Sequence, residues 1–134
     1  MKLYTLDNKF IKETNNYPEN FTGIIDFQSG YKEYKLNGKL HRLDGPARIW
    51  DVTHKTCPGR KQWYIEGKSH RLDGPAIEHY GGTKEWHVNG KVHRIDGPAF
   101  EWVDGTKEWW VDGKKVTEEQ HDFLVDIMKL KVLI

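Results

Sequence analysis

Three histidines, three arginines and three aspartates recur at matching positions: His41, Arg42 and Asp44; His70, Arg71 and Asp73; His93, Arg94 and Asp96. Histidine with aspartate is the residue set of acid–base catalysis and of metal sites, and arginine beside them suits a phosphate or carboxylate. The spacing argues against a shared centre. If each set sits in its own hairpin, successive histidines lie two strand spacings, roughly 10 Å, apart, too far to share an ion bound at ~2 Å. Residues that recur in every copy of a repeat encode contacts between copies, so they are assigned to scaffold. His54 and Cys57 lie three residues apart with no third group, a poor basis for Cys/His catalysis, and a plain loop thiol is expected. Nucleophile-elbow, P-loop and His-Glu-x-x-His patterns are absent from the sequence. The sequence therefore predicts no enzyme, no metal and no cofactor.

The elements that carry these residues are tandem copies. Gly38 to Ala47, Gly67 to Ala76 and Gly90 to Ala99 read GKLHRLDGPA, GKSHRLDGPA and GKVHRIDGPA. A Gly-x-Lys-x-aromatic motif precedes each of them and recurs a fourth time: Gly30 to Tyr34, Gly59 to Trp63 (with Arg60), Gly82 to Trp86 and Gly105 to Trp109. Asn37-Gly38, Glu66-Gly67, Asn89-Gly90 and Asp112-Gly113 each lie between alternating segments, as two-residue hairpin loops with positive φ do. Gln28-Ser29-Gly30, Tyr80-Gly81-Gly82 and Val103-Asp104-Gly105 fit three-residue loops with a left-handed third position. The first spacing is longer because about six residues are inserted around Asp51 to Pro58.

Two-residue loops fix a register. Continued straight, it sets Tyr34 opposite His41, Trp63 opposite His70 and Trp86 opposite His93. On the other face Glu33 would meet Arg42, Gln62 would meet Arg71 and Glu85 would meet Arg94. The three-residue loops set Asp26 against Lys32, Glu78 against Lys84 and Glu101 against Lys107. The Glu/Arg face would then also gather residues that vary between copies: Lys35, Tyr64, His87 and Trp110; Phe27, Trp50, His79 and Trp102; Ile25, Arg48, Ile77 and Phe100. Trp50, Tyr64, His87, Trp102 and Trp110, with Arg42, Arg71 and Arg94, are the candidate binding residues, because exposed aromatic patches with arginine mark interaction sites.

These units resemble MORN-type repeats, most closely the variant with His-Arg-x-Asp-Gly-Pro-Ala that recurs in phage, giant-virus and bacterial proteins. The resemblance spans roughly residues 22 to 116. It departs from ordinary MORN units, where His-Gly-x-Gly stands for His-Arg-x-Asp-Gly, and the fourth copy ends as Lys114-Lys115-Val116. It implies one elongated sheet used for binding, with proteins or lipid headgroups as partners in the wider family, and implies no reaction.

The expected fold is mainly β: an elongated antiparallel meander of tandem β-hairpins, in one domain. Residues 1–21 form an N-terminal edge segment with a strand around Leu3 to Phe10, residues 22–116 form about four hairpin repeats, and residues 117–134 a C-terminal amphipathic helix. Thr117-Glu118-Glu119-Gln120 is a capping box for a helix to about Lys131. Phe123, Ile127 and Leu130 form its apolar stripe, with Leu124 and Met128 beside it. The helix is expected to cap the sheet, the Glu/Arg face either packs beneath it or is left open as a binding surface, and the tail Val132-Leu133-Ile134 leaves open a role in homo-oligomerisation.

The chain has 21 basic and 20 acidic residues, net +1, so no overall field draws it to nucleic acid. Six tryptophans and 13% aromatic content exclude a disordered polar chain. One cysteine, no apolar run of signal-peptide or membrane-span length and no zinc-ligand spacing fit a cytoplasmic protein. The expected function is a non-enzymatic, phage-encoded protein that engages or inhibits a host protein in the host cytoplasm. The alternative is sequestration of a small anionic ligand such as a signalling nucleotide, with an aromatic ring stacking the base and arginine meeting phosphate.

Overall fold

The computed structural model describes residues 1–132. It is an antiparallel meander that does not close into a barrel, followed by one helix. The chain enters through β1 (Lys2–Tyr4), β2 (Phe10–Glu13) and β3 (Gly23–Asp26). Long hairpin arms follow: β4 (Tyr31–Leu36) with β5 (Lys39–Leu40), and β15 (Lys107–Val111) with β16 (Lys114–Val116). In the two middle copies the rising arm breaks at its tryptophan. This gives β7 (Lys61–Gln62) and β8 (Tyr64–Ile65) with β9 (Lys68–Ser69), then β11 (Lys84–Glu85) and β12 (His87–Val88) with β13 (Lys91–Val92). Returning strands β6 (Arg48–Trp50), β10 (Ile77–Glu78) and β14 (Phe100–Glu101) complete the sheet, in the order β15, β14, β11, β10, β7, β6, β4, β3, β1, β2. The N-terminal segment is thus a two-strand hairpin rather than one strand, with a bulge between Leu3 and Tyr4.

The turn chemistry holds throughout. Asn37, Glu66, Asn89 and Asp112 have φ between 48° and 50°, each followed by a glycine with φ of 77° to 80°. The three-residue loops place Asp26 opposite Lys32, Glu78 opposite Lys84 and Glu101 opposite Lys107. At Gly38 the constraint is also steric, because a Cβ there would lie 1.9 Å from the Glu19 carbonyl oxygen.

The expected register runs as far as the histidines and then breaks. His41, His70 and His93 donate their backbone N–H to Tyr34, Trp63 and Trp86. Beyond them the arginine does not continue the strand, and Glu33 pairs with Arg48, Gln62 with Arg48 and Ile77, and Glu85 with Ile77 and Phe100. The expected Glu33–Arg42, Gln62–Arg71 and Glu85–Arg94 pairs are therefore replaced. The guanidinium carbon of Arg42, Arg71 and Arg94 sits 3.9 Å from the ring centroid of Tyr34, Trp63 and Trp86, on the opposite face from the glutamates. From there Nε donates to Asp44, Asp73 or Asp96 at 2.9 to 3.0 Å, and Nη1 to the carbonyl of Pro46, Pro75 or Pro98. The Asp-Gly-Pro bend wraps the arginine, with the Cα of Gly45 and of Gly74 so close that a Cβ would lie 2.9 Å from the guanidinium.

That bend returns the chain to the sheet at alanine. Ala47, Ala76 and Ala99 are fully buried, and their carbonyls accept the N–H of Tyr34, Trp63 and Trp86 at 2.7 to 2.8 Å. Large rings thus alternate with alanine across this arginine face, as dense packing requires. Successive copies are stitched at the hairpin tips. His41 Nδ1 accepts the N–H of Glu66, His70 Nδ1 that of Asn89 and His93 Nδ1 that of Asp112, each at 3.0 Å. Thr22 Oγ1 does the same for Asn37 at the start of the series.

The helix α1 (Glu118–Val132) begins at the expected capping box, with Thr117 Oγ1 accepting from Gln120 N–H and Gln120 Oε1 from Thr117 N–H. Its rotation differs from the expected one. His121 is the buried contact and Nε2 donates to the Arg94 carbonyl at 2.7 Å, whereas Phe123 and Leu130 are 65% and 60% exposed. A polar anchor, not the apolar stripe, sets how the helix lies. Leu133 and Ile134 of the expected oligomerising tail lie outside the described residues.

Two stability measurements check this account. Arg71→Lys keeps the charge but loses the planar stack and the fork, and should lower unfolding free energy by about 1–2 kcal/mol in urea titrations. Glu66→Asn relieves a left-handed glutamate and should raise it by up to about 1 kcal/mol; no gain would mean that the turn is not strained.

Candidate functional site

The face opposite the arginines is the candidate site. It is built on rows of residues that lie directly across from one another. The central row is Ile25, Glu33, Arg48, Gln62, Ile77, Glu85, Phe100 and Glu108. Glu33 and Gln62 are buried, Glu85 and Glu108 are half-buried, and all four are satisfied by neighbouring donors. Glu33, 6% exposed, accepts from the Tyr31 hydroxyl, from Arg48 Nε at 3.2 Å and lies 3.3 Å from Lys35 Nζ. Burial and this contact with Glu33 push the Tyr31 phenol well above its ordinary range. Gln62, with its amide oxygen assigned toward Arg60, accepts from Nη2 at 2.9 Å. Glu108 accepts from Trp110 Nε1 at 2.9 Å and from Lys115.

Glu85 has the most distinctive surroundings. His79 Nε2 lies 2.8 Å from one carboxylate oxygen and His87 Nε2 lies 3.2 Å from the other, while Ser69 Oγ is 2.9 Å from His87 Nδ1. Burial raises the Glu85 pKa, but the hydrogen bonds from His87 and His79 outweigh it and hold it below the ordinary carboxylate value. The serine, imidazole and carboxylate are connected as in a nucleophile relay. The neighbouring copies give the plainer account, because Glu33, Gln62 and Glu108 hold the same place and are each satisfied by whatever donors flank them.

Aromatic rings flank this row. Phe27, Tyr31 and Trp50 stack in series, with centroids 5.0 and 4.7 Å apart and planes 19° and 21° from parallel, and Arg60 lies 5.8 Å from the Trp50 centroid. Towards the other end Phe100 stacks on Trp102 at 5.0 Å and meets Trp110 edge-on at 6.0 Å. Arg48 lies 5.6 Å from the Tyr64 centroid.

Of the residues singled out in the sequence, Trp50, Tyr64, His87, Trp102 and Trp110 share this face, half-buried. Arg42, Arg71 and Arg94 do not; they are on the other face, stacked and hydrogen-bonded into the scaffold. The cations that accompany the aromatic rings are Arg48 and Arg60. The grouping of His79 and His87 around Glu85 was missed, although the three-residue loop at Tyr80-Gly81-Gly82 already puts all three on one face. The helix leaves this face open, because α1 packs over Ile95 to Pro98 and beside Lys107 and Trp109, which belong to the arginine face. In the insertion, His54 Nδ1 accepts the Cys57 N–H at 3.2 Å, a turn contact and not a catalytic pair. Among the described residues no group of three or more His, Cys, Asp or Glu is placed to hold a metal ion, and no helix is long and apolar enough to cross a membrane.

Comparison with protein-family models, curated proteins and solved structures finds no match.

The pH dependence of stability follows from Glu85. A folded-state pKa below the unfolded one stabilises the fold above the unfolded value, ordinarily 4.5, and the contribution is lost as pH falls through the folded value. Glu85→Gln should therefore be less stable than wild type at pH 7 and should converge on it below pH 4.5. A difference independent of pH between 7 and 3 would assign the effect to packing.

Proposed function

We propose that this chain is a non-enzymatic, MORN-like binding module, encoded by a phage, that engages and inhibits a host protein in the host cytoplasm through its carboxylate face. The observation that carries this reading is the pair of aromatic clusters, Phe27–Tyr31–Trp50 and Phe100–Trp102–Trp110, on the face that α1 leaves open. Rigid tryptophan and tyrosine held by internal hydrogen bonds offer contact area at little entropic cost, which favours them as interface anchors. The polar row between them is already paired, so docking need not strand a charge. The exposed Phe123 and Leu130 on α1 are consistent with a further contact between copies of the chain.

Sequestration of a small anion is the second reading, and Arg60 beside the Trp50 ring is what favours it. The repeat arginines no longer contribute: Arg71 and Arg94 each meet two carboxylates, Asp73 with Glu78 and Asp96 with Glu101.

Both readings are tested by purifying wild type and the Trp102→Ala/Trp110→Ala variant from the native host. The expected outcome is a stoichiometric host protein with wild type, depleted by about tenfold or more with the variant, the scale on which interface anchors act. A nucleotide released on heating, with no protein partner, would replace the first reading by the second. Recovery unaffected by the two substitutions would sink the assignment to this face.

A further inference from the structure

One arginine of this chain has no acid to answer it. Arg42, Arg48, Arg71 and Arg94 each hold a carboxylate, that of Asp44, Glu33, Asp73 and Asp96 respectively. Arg60 meets none among the described residues. Its side chain has a single protein acceptor, the Gln62 amide oxygen, 2.9 Å from Nη2 and 3.3 Å from Nε, so both N–H groups of Nη1 remain without one.

The cause lies in two departures of the second copy from the other three. Arg60 stands where they have Tyr31, Thr83 and Thr106, and Gln62 stands where they have Glu33, Glu85 and Glu108. In those copies the glutamate is matched by cations: Lys35 and Arg48, His79 and His87, and Lys115. The second copy adds a cation and removes an anion two residues away on the same face. Both changes leave positive charge at one place.

That place is a cleft. It has a volume of about 310 Å³ and lies between the insertion and the Tyr80-Gly81-Gly82 loop, with Thr56, Pro58, Arg60, His79 and Tyr80 among its walls. The Trp50 ring centroid lies 5.8 Å from the Arg60 guanidinium carbon, and His79 has its Nε2 committed to Glu85. Tyr80 is 69% exposed, and its ring lies against Gly59, where a Cβ would come within 2.7 Å of Cδ2. The insertion is tied down as the opposite wall. The Asp51 carbonyl accepts from His54 N–H at 3.2 Å and from Gly59 N–H at 2.9 Å, and His54 Nδ1 accepts from Cys57 N–H at 3.2 Å. The copies joined by three-residue loops have no such wall.

We propose that this cleft binds a small planar aromatic ligand carrying a phosphate, the chemistry of a nucleoside monophosphate, with the phosphate on the free donors of Arg60 and the base on the exposed ring of Tyr80. An unmatched guanidinium presents the fork that two phosphate oxygens take, and a tyrosine face stacks any base. The volume is at the small end of ligand clefts, roughly 300–1,000 Å³, which suits one nucleotide and not a longer chain. The inference gives the small-anion reading above a site and a ligand class; it rests on that reading and not on the docking of a protein.

The test is isothermal titration of the full chain with adenosine monophosphate, inorganic phosphate and acetate at low salt. Saturable one-to-one binding of the nucleotide is expected, with phosphate weaker. R60Q should weaken the nucleotide about tenfold or more, the scale of one charge-assisted hydrogen bond. Q62E keeps every donor of Arg60 but gives it the carboxylate that the other copies have at this place, and should weaken the nucleotide likewise. Y80A should weaken the nucleotide and leave phosphate unchanged, and as a change to an exposed ring it keeps the test decisive if either other variant fails to fold. Absence of saturable nucleotide binding would overturn the site. Binding indifferent to R60Q, Q62E and Y80A would overturn it too, while leaving the small-anion reading in force elsewhere on the chain. Acetate bound as tightly as the nucleotide would overturn the phosphate ester in favour of a partner protein's acidic side chain. Nucleotide binding that R60Q removes, with no nucleotide on the chain purified from its native host, would support the chemistry of the cleft and end the sequestration reading.

Discussion

Everything in this sheet depends on an arginine that leaves its strand. Arg42, Arg71 and Arg94 follow a histidine still in register with the rising arm, and each then folds over the aromatic ring of its own copy. Stacking fixes the plane of the guanidinium, and Asp and the Pro carbonyl take its in-plane donors. The chain is thereby reversed in four residues and delivered to alanine at the sheet edge. Lysine has the charge for this but not the plane. Without the clasp, hairpins would form singly, and isolated two-stranded hairpins are at best marginal in water.

The same clasp sorts the molecule into two faces with different characters. On the arginine face a guanidinium covers one side of each of the rings Tyr34, Trp63 and Trp86 and is matched by aspartate. The carboxylate face pairs its polar row internally and leaves the rings beside that row half-open. Sites that must bind without rearranging benefit from a polar network already satisfied, because no desolvated group waits for a partner. Lys35, Arg48, His79, His87 and Lys115 are all consumed in this way, which explains why so charged a strand pattern ends with aromatic rings as its accessible feature.

Much of this was legible in the residues. Asn-Gly and Asp-Gly pairs, the three-residue loops and the Thr117–Gln120 box are local signals, set within a few residues, and each appears where it was expected. The site was only half legible. Extending the register past His41 assumed a straight strand, and nothing in the order His-Arg-Leu-Asp-Gly-Pro announces that the arginine side chain forms the inside of a bend. Trp50, Tyr64, His87, Trp102 and Trp110 were still grouped correctly, because their placement rests on the loops rather than on that extension. The helix stripe misled for a related reason: Phe123, Ile127 and Leu130 are apolar at helical spacing, but the Arg94 carbonyl had an outward lone pair and His121 was in reach of it.

The histidine bonds at the hairpin tips have one further implication. Each reaches forward, from one unit to the amide of the next, and the unit at the start is met by Thr22 in the same role. Neighbouring units therefore share one junction, independent of position in the series. A gene encoding such a chain can gain or lose an internal unit in frame and still produce matched junctions throughout. Length becomes a heritable variable that selection can adjust in steps of one hairpin. The terminal unit, with Val116 in place of histidine, is exempt, and marks where such growth must stop.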